Sequence, residues 1–245
     1  MRKLRLSVAL LSVFGVWLMG SHPLARSADA ATAAGFEGAD AAALREMLEG
    51  TAGRREMWKA APDLVVVEQV LDYNIGGVVS GYAAGKDALS AGEIQLLALD
   101  LTEAVQDLTD GAFARFRSIS VETVAPGDTV RVIRPGAIVV ARYRGLREIT
   151  GNIGYGGRST RNGTIRGAAV MLDADFDRRS DQRFLLRTHE LGHALGYHHV
   201  ASRPSVMNPK VGSGLTDFDR NAIRYATHPL RQIAQLCTSL HTALN

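Results

Sequence analysis

The protein is a chain of 245 residues, of which 46% are hydrophobic and 22% charged, and its mean hydropathy is close to zero. This length and composition suit one domain with a buried core, and they exclude a wholly disordered chain, a collagen-like repeat and a multi-span membrane protein. The single cysteine, Cys237, excludes an intrachain disulfide and a cysteine-based zinc cluster, and we interpret it as a small packed hydrophobic residue.

The first thirty residues contain the three parts of a secretory signal peptide. Arg2, Lys3 and Arg5 precede an apolar run over residues 6–20, and residues 28–30 read Ala-Asp-Ala, the small-x-small pattern of a cleavage site. The apolar run of 15 residues is shorter than the ~20 residues that cross a bilayer. We therefore predict that residues 1–30 are a cleaved signal peptide rather than a membrane anchor, and that the protein is secreted or periplasmic without stable membrane association.

The basic character of the chain lies mostly in this leader. The whole chain has 28 basic and 25 acidic side chains and a formal net charge of +3. Four of the basic residues and one of the acidic residues lie in residues 1–30, so 24 of each sign remain after cleavage. A neutral mature chain without a long basic run lacks the electrostatic footprint of a nucleic-acid-binding protein. Nucleic acid is therefore excluded as a predicted partner.

The N-terminal half of the mature chain predicts a short helix, a strand and a long helix. Residues 31–60 are alanine-rich with helical spacing over 41–48, which fits either a short pro-region or an ordinary N-terminal helix. Residues 64–67 have the composition of a strand. Ser90 and Glu93 form the capping-box pattern that starts a helix, and apolar residues then continue at helical spacing. The pattern is that of a domain that mixes helices and strands.

The next segment predicts strands and one flexible loop. Residues 119–124, 137–143 and 164–172 have the composition of strands, whereas residues 151–163 contain five glycines and are predicted to be a loop. Three aspartates follow the last strand at alternate positions: Asp173, Asp175 and Asp177. We interpret them as a solvated strand end rather than a calcium site, because no glycine-centred loop with a closing glutamate accompanies them. The mature chain is predicted to be one α+β domain.

The most informative segment follows the pattern H-E-x-x-H-x-x-G-x-x-H. Its first half is predicted to lie on a helix that Ser180 or Asp181 caps. On that helix His189 and His193 lie one turn apart on the same face, so that two imidazoles can reach one metal ion. Glu190 lies on the flank of this face, where its carboxylate can address a metal-bound water but is not placed to be a third ligand.

The second half of the pattern supplies the predicted third ligand. Gly196 can take the left-handed conformation that ends a helix. The chain can then turn back and bring His199 to the metal, with the adjacent His198 as an alternative. Three neutral imidazoles and an open fourth position are typical of a catalytic rather than a structural zinc site. An aspartate further along the chain, Asp217 or Asp219, stays open as a minor alternative ligand.

Together with the residues that follow, this segment resembles the metzincin zinc peptidases, and in particular their matrixin-like members. Residues 205–209 read Ser-Val-Met-Asn-Pro, and Met207, eight residues after the third histidine, is similar to the methionine of the family's Met-turn. Residues 215–223 resemble the last helix of matrixin-type catalytic domains. The resemblance is sharp over residues 180–228 and only architectural upstream.

The resemblance implies an α+β fold with a twisted, mostly parallel sheet, an antiparallel edge strand, an active-site helix and a C-terminal helix. It implies that residues 61–245 form a zinc metallopeptidase catalytic domain, in which the three histidines hold one catalytic zinc ion above Met207. It further implies an exported endopeptidase that hydrolyses peptide bonds with a zinc-bound water activated by Glu190. The substrate peptide is then expected to pair antiparallel with the edge strand, predicted within residues 164–172.

Two departures from the family leave details open. Val200 follows the third histidine and leaves the subfamily open, and Pro209 stands where astacin-like and serralysin-like members have a tyrosine, so we assign no tyrosine switch. Two other functions also stay open: a metzincin scaffold that captures a protein without cutting it, and a zinc hydrolase that acts on a non-peptide amide. Glu190 disfavours the first, because a non-catalytic site has no physical need for a base, and Met207 disfavours the second.

Overall fold

The computed structural model describes residues 36–227. The predicted signal peptide with its cleavage site, and also Cys237, lie outside the described residues, so these predictions stay predictions. Among residues 36–227, no helix combines the length and the apolar character that crossing a membrane requires.

Eight strands and seven helices make up the described part of the chain. The strands are β1 Asp63–Val67, β2 Gln69–Asp72, β3 Tyr82–Ala88, β4 Ile119–Glu122, β5 Thr129–Val130, β6 Ala137–Arg144, β7 Gly154–Arg161 and β8 Thr164–Asp173. The helices are α1 Gly38–Glu49, α2 Gly77–Ser80, α3 Ala91–Asp107, α4 Leu146–Thr150, α5 Ala174–Arg179, α6 Arg183–Leu195 and α7 Asp217–Thr227.

The strands form one curled, mixed sheet that is mostly parallel. β6 lies between β8 on one side and β1 followed by β2 on the other, and all three are parallel to it. β4 extends the sheet beyond β1 in parallel, whereas β3 and β5 extend it beyond β2 in antiparallel order. β7 is antiparallel to β8 and pairs with no other strand of the described chain. The predicted α+β fold, with a mostly parallel sheet and an antiparallel edge strand, is confirmed.

The sheet is buried on both faces. In β6, Ile138 and Val140 point into the larger core, which α1, α3, α6 and α7 cover. Val139 and Ala141 point into a smaller core on the opposite face. Side chains of a strand alternate between faces, so a strand buried on both sides has a continuous apolar run, as residues 137–141 of β6 do. The helices that carry the candidate site therefore lie on the face of the larger core.

The long helix α3 begins where the sequence predicts it. The Ser90 hydroxyl accepts a hydrogen bond from the backbone N–H of Glu93 at 3.3 Å, and the backbone N–H of Ser90 donates to the Glu93 carboxylate at 2.8 Å. This reciprocal pair satisfies two N–H groups that the first turn of a helix leaves unpaired. The predicted helix start is confirmed, and so are the four strands predicted around residues 64–67, 119–124, 137–143 and 164–172.

The predicted loop over residues 151–163 is wrong, because most of it is the strand β7. Its glycines permit a close approach between backbones rather than flexibility. A Cβ atom at Gly154 would overlap the Glu190 carboxylate, and one at Gly156 would overlap the backbone carbonyl of Glu190 and the Cβ of His193. At Gly156 the α6 backbone itself is in the way, so only glycine there lets β7 lie directly against α6. Consequently the edge strand is β7, and the prediction of an edge strand within residues 164–172 is wrong, since β8 lies between β6 and β7.

The interpretation of the three aspartates as a solvated strand end holds for Asp175, which is exposed, and is wrong for the other two. Asp173 is buried and caps α5 by accepting a hydrogen bond from the backbone N–H of Phe176 at 2.9 Å. Asp177 is 0% exposed and pairs with the guanidinium groups of Arg142 and Arg187. Two arginines thus supply the opposite charge that lets a carboxylate lie in the core.

The N-terminus of α6 differs from the prediction. α6 begins at Arg183 after Gln182, which makes no side-chain cap, so the predicted cap at Ser180 or Asp181 is wrong. The Ser180 hydroxyl instead accepts the N–H of Gln182 at 3.0 Å in the preceding turn. α1 packs its apolar face into the larger core. The division of the chain at residues 60 and 61 stays a prediction.

Candidate metal centre

An open cleft of about 660 Å³ lies between the edge strand β7 and the helix α6. Its lining comes from β7 and the turn before it, from α6 and from residues 209–211. Four of the residues singled out by the sequence pattern line this cleft: His189, Glu190, His193 and His199. The cleft is therefore the place where the predicted site residues meet solvent.

The two helical histidines have their rings fixed by backbone carbonyls. His189 Nδ1 lies 2.8 Å from the carbonyl oxygen of Val206, and His193 Nδ1 lies 2.9 Å from that of Tyr197. A carbonyl oxygen only accepts hydrogen bonds, so in both rings Nδ1 carries the proton and Nε2 offers a lone pair. These hydrogen bonds orient the rings so that the two Nε2 atoms point toward a shared position. In metal-ligating histidines, a hydrogen bond from the other ring nitrogen fixes the ring in the same way.

The third histidine reaches this point because α6 ends at Gly196. Gly196 has φ 115° and is the left-handed cap, so the chain turns back after it. His199 Nε2 then lies 3.1 Å from His193 Nε2. Ligand nitrogens of His189, His193 and His199 all lie within 4.8 Å of one another, so the three histidines can hold a metal ion. The alternative ligand His198 lies outside this cluster, and its Nε2 is 2.8 Å from the Arg158 guanidinium.

The three imidazoles are held in their uncharged form. Burial lowers the pKa of His193 to about 3, with His189 adding to this effect. Burial also lowers the pKa values of His189 and His199 below the ordinary value. An uncharged imidazole is the form that binds a metal ion, so near neutral pH the three histidines can bind one without first losing a proton.

Glu190 is the one carboxylate that lines the cleft in the described part of the chain. Its residue is 5% exposed, and burial raises the pKa of its carboxyl group to about 8, against a hydrogen bond from the backbone N–H of Gly156 that lowers it. The carboxyl group touches β7 at Gly154. A carboxyl group whose pKa lies near neutrality can both take up and release a proton.

Met207 is fully buried beneath the site, against Gly192 of α6. Asp219 on α7 holds this turn: its carboxylate accepts hydrogen bonds from the Ser205 hydroxyl and from the backbone N–H of Val206, the latter at 2.9 Å. Asp219 is thereby engaged in support rather than offered to a metal, and Asp217, the other alternative ligand, is exposed on α7 and outside the histidine cluster.

Several groups that build the site have no signal in the sequence. The carbonyls of Val206 and Tyr197 orient the histidine rings, and any residue type supplies a carbonyl. The sequence leaves Asp219 open as a ligand, and only its hydrogen bonds to Ser205 and Val206 reveal the supporting role. A scan of known family models found no match to this chain, and a search among curated proteins also found none.

Proposed function

We propose that this protein is an exported zinc endopeptidase of the metzincin type. One observation carries the proposal: ligand nitrogens of three histidines converge within 4.8 Å of one another in a cleft that Glu190 also lines. The order of these residues along the chain, H-E-x-x-H-x-x-G-x-x-H, supports the metzincin assignment. The position of Met207 under the site supports it further.

Imidazole donors suit zinc, and the spacing of one pair of them matches zinc ligation. Two imidazole nitrogens that bind the same tetrahedral zinc ion, each at about 2.0–2.1 Å, lie roughly 3.3 Å from one another. His193 Nε2 and His199 Nε2 are separated by 3.1 Å. His189, His193 and His199 leave one tetrahedral position for water or substrate, as in catalytic zinc sites. When bound there, the cation supplies Lewis acidity, which makes a water molecule more acidic and polarises the substrate carbonyl.

Glu190 carries the proton in this proposal. Its carboxylate accepts the proton of the water that attacks the scissile carbonyl and then delivers that proton to the leaving amine. Two contacts hold the carboxylate in place: the Gly156 N–H donates to it, and Gly154 packs against it without a side chain. Because Glu190 is nearly buried, bulk water competes little for the proton.

The free edge of β7 is the proposed binding surface for the substrate peptide. β7 pairs on one side with β8, and among the described residues its other side is open. A peptide added antiparallel to this edge gains main-chain hydrogen bonds that make little demand on its sequence. It would run along the cleft between β7 and residues 209–211, directly over the histidine cluster. This placement replaces the expectation that residues 164–172 bind the substrate.

The cellular setting follows from the leader. A cleaved signal peptide over residues 1–30 would deliver a mature chain of zero formal charge to the periplasm or the extracellular space. A neutral mature chain gives no electrostatic reason to bind nucleic acid. The proposed partners are therefore peptide or protein substrates.

The test combines metal analysis with proteolysis. The purified mature protein is incubated with a quenched peptide library, with and without a chelator, and its zinc content is measured. We expect one zinc ion per chain, cleavage that the chelator abolishes and that added zinc restores, and a Glu190→Ala protein that keeps zinc but does not cleave. Cleavage by zinc-loaded Glu190→Ala would overturn the role of Glu190. A zinc-loaded wild-type protein that cuts no peptide would favour the binding scaffold.

A further inference from the structure

His199 is the ligand candidate whose ring has the fewest contacts of its own. The Nδ1 atoms of His189 and His193 are each bonded to a carbonyl oxygen. The His199 ring is exposed, and among the described residues its one hydrogen-bonding neighbour is the ring of His193. Its position therefore depends on how the backbone on either side of it is anchored.

The backbone before His199 is anchored to helix α1. The N–H of His198 donates a hydrogen bond of 2.8 Å to the carbonyl oxygen of Met47, in the last turn of α1. The ring of His198 lies against Gly50, where a Cβ atom would overlap it. Gly50 has φ 52°, so both its backbone conformation and this contact require glycine. The end of α1 thus fixes the residue that precedes the third ligand candidate.

The backbone after His199 is anchored to the same helix through one carboxylate. Glu46 Oε2 accepts hydrogen bonds from the N–H of Ala201 at 2.9 Å, the N–H of Ser202 at 3.3 Å and the hydroxyl of Ser202 at 3.2 Å. Hydrogen bonds to an ionised carboxylate are stronger than those between neutral groups. The N–H of Val200 donates to the Met207 carbonyl at 2.8 Å, which joins the same loop to the turn beneath the site.

We propose that α1 belongs to the metal site, and that Glu46 is a positioning residue that sets where His199 meets the metal. Met47 and Glu46 hold the two ends of the four-residue span from His198 to Ala201, which contains His199. Without the Glu46 anchor, the loop after His199 loses three hydrogen bonds at once. The third imidazole would then sample positions outside the convergence of the other two nitrogens.

This role has a consequence for the two interpretations of residues 31–60. A pro-region is dispensable for the mature site, but α1 supplies anchors on both sides of His199. Proteolytic removal of residues 36–60 should therefore weaken metal binding rather than activate the protein. The role of Glu46 rests on the proposed function, since it presumes that the three histidines hold a metal ion.

The test compares zinc affinity, measured by competition with a chromophoric chelator, across variants of the mature protein. We expect Glu46→Ala to weaken zinc binding by about 10- to 100-fold, the range typical of groups that orient metal ligands. Glu46→Gln keeps an acceptor oxygen, so the logarithm of its zinc affinity should be closer to that of wild type than to that of Glu46→Ala. Glu49→Ala is the matched control on the same helix, because the Glu49 side chain makes no hydrogen bond or ion pair within the described residues. The zinc affinity of this variant should equal that of wild type.

The thermal midpoint of each metal-free variant separates positioning from general stability. Glu46→Ala with wild-type zinc affinity overturns the proposal, whether or not its midpoint falls. Should Glu46→Ala fail to fold, Glu46→Asp keeps the charge but withdraws it by one methylene, and an unchanged affinity in that variant overturns the proposal equally. A wild-type protein that binds no zinc overturns the proposed function itself, an outcome distinct from equal affinities in wild type and Glu46→Ala.

Discussion

Gly154 on the edge strand β7 lies so close to Glu190 on helix α6 that a Cβ atom at Gly154 would overlap the Glu190 carboxylate. The strand and the proposed base therefore fix one another. A side chain at residue 154 would push the carboxylate away from its place in the cleft. All the overlapping atoms belong to the Glu190 side chain and none to the backbone, so we expect the side chain to move and the backbone of α6 to stay in place.

We expect Gly154→Ala to retain the wild-type thermal midpoint within a few degrees but to lower kcat/KM for a quenched peptide about 100-fold, the loss typical of a catalytic group displaced by roughly 1 Å. Gly157→Ala is the control on the same strand, since its Cβ would meet the half-exposed ring of Tyr155, which can move aside. A Gly154→Ala protein with wild-type kcat/KM would show that the contact between β7 and Glu190 has no bearing on catalysis.

A buried ion cluster ties helix α6 to the sheet. Asp177 accepts two hydrogen bonds of 2.7 Å from Arg187 on α6 and one of 2.8 Å from Arg142 on β6. Arg187 also reaches Asp100 on α3 at 2.6 Å. Breaking a buried pair from one side leaves uncompensated charge and costs about 3–5 kcal/mol.

We therefore expect Asp177→Asn to lower the free energy of unfolding, measured by urea denaturation of the metal-free protein, by about 3–5 kcal/mol. The exposed Asp175, two residues earlier on the same helix, provides the control. Asp175→Asn should change the free energy of unfolding by no more than about 0.5 kcal/mol. Equal effects of the two substitutions would mean that the cluster contributes no more than a surface charge does.

Glu93 makes the stability of the fold depend on pH. Burial alone raises the pKa of its carboxyl group, but hydrogen bonds from the Ser90 backbone and from Arg142 outweigh burial and lower the pKa to about 2. A carboxyl group with a lowered pKa in the folded state stabilises the fold fully above its ordinary value of 4.5, and this stabilisation is lost as the pH falls toward 2.

We expect Glu93→Gln to be less stable than wild type at pH 6 and equally stable near pH 2, as measured by urea denaturation across this range. Glu103→Gln, on the exposed face of the same helix, should follow the wild-type curve throughout. A constant difference between Glu93→Gln and wild type at every pH would contradict ionic stabilisation by Glu93 and would point to packing instead.

The sequence was most informative where a local pattern determines the structure. Ser90 and Glu93 predict a helix start because a capping box involves only four neighbouring residues. The spacing of His189 and His193 places them together because helix geometry is regular. Gly196 predicts the end of the helix for the same kind of reason, since few residues adopt its positive φ.

The errors arose where partners are distant in the chain. Residues 151–163 resemble a loop by composition because of their glycines. The strand pairs with the neighbouring β8, but the need for glycine at residues 154 and 156 comes from the contact with α6, about thirty residues further on. Asp177 resembles a solvated residue until Arg142 and Arg187 are seen beside it. Likewise, nothing local to Glu46 indicates that it holds a loop more than 150 residues away. Such roles follow from tertiary packing, which overrides local preference.

The central claim is that three imidazoles, with His199 as the third, hold one zinc ion. Its most direct test is the zinc content of wild type, His199→Ala and His198→Ala after equilibrium dialysis against limiting zinc. We expect one equivalent of zinc per chain in wild type and in His198→Ala, because the His198 ring pairs with Arg158 outside the histidine cluster. In His199→Ala we expect a large loss of zinc. Full zinc content in His199→Ala, or none in wild type, would contradict the account.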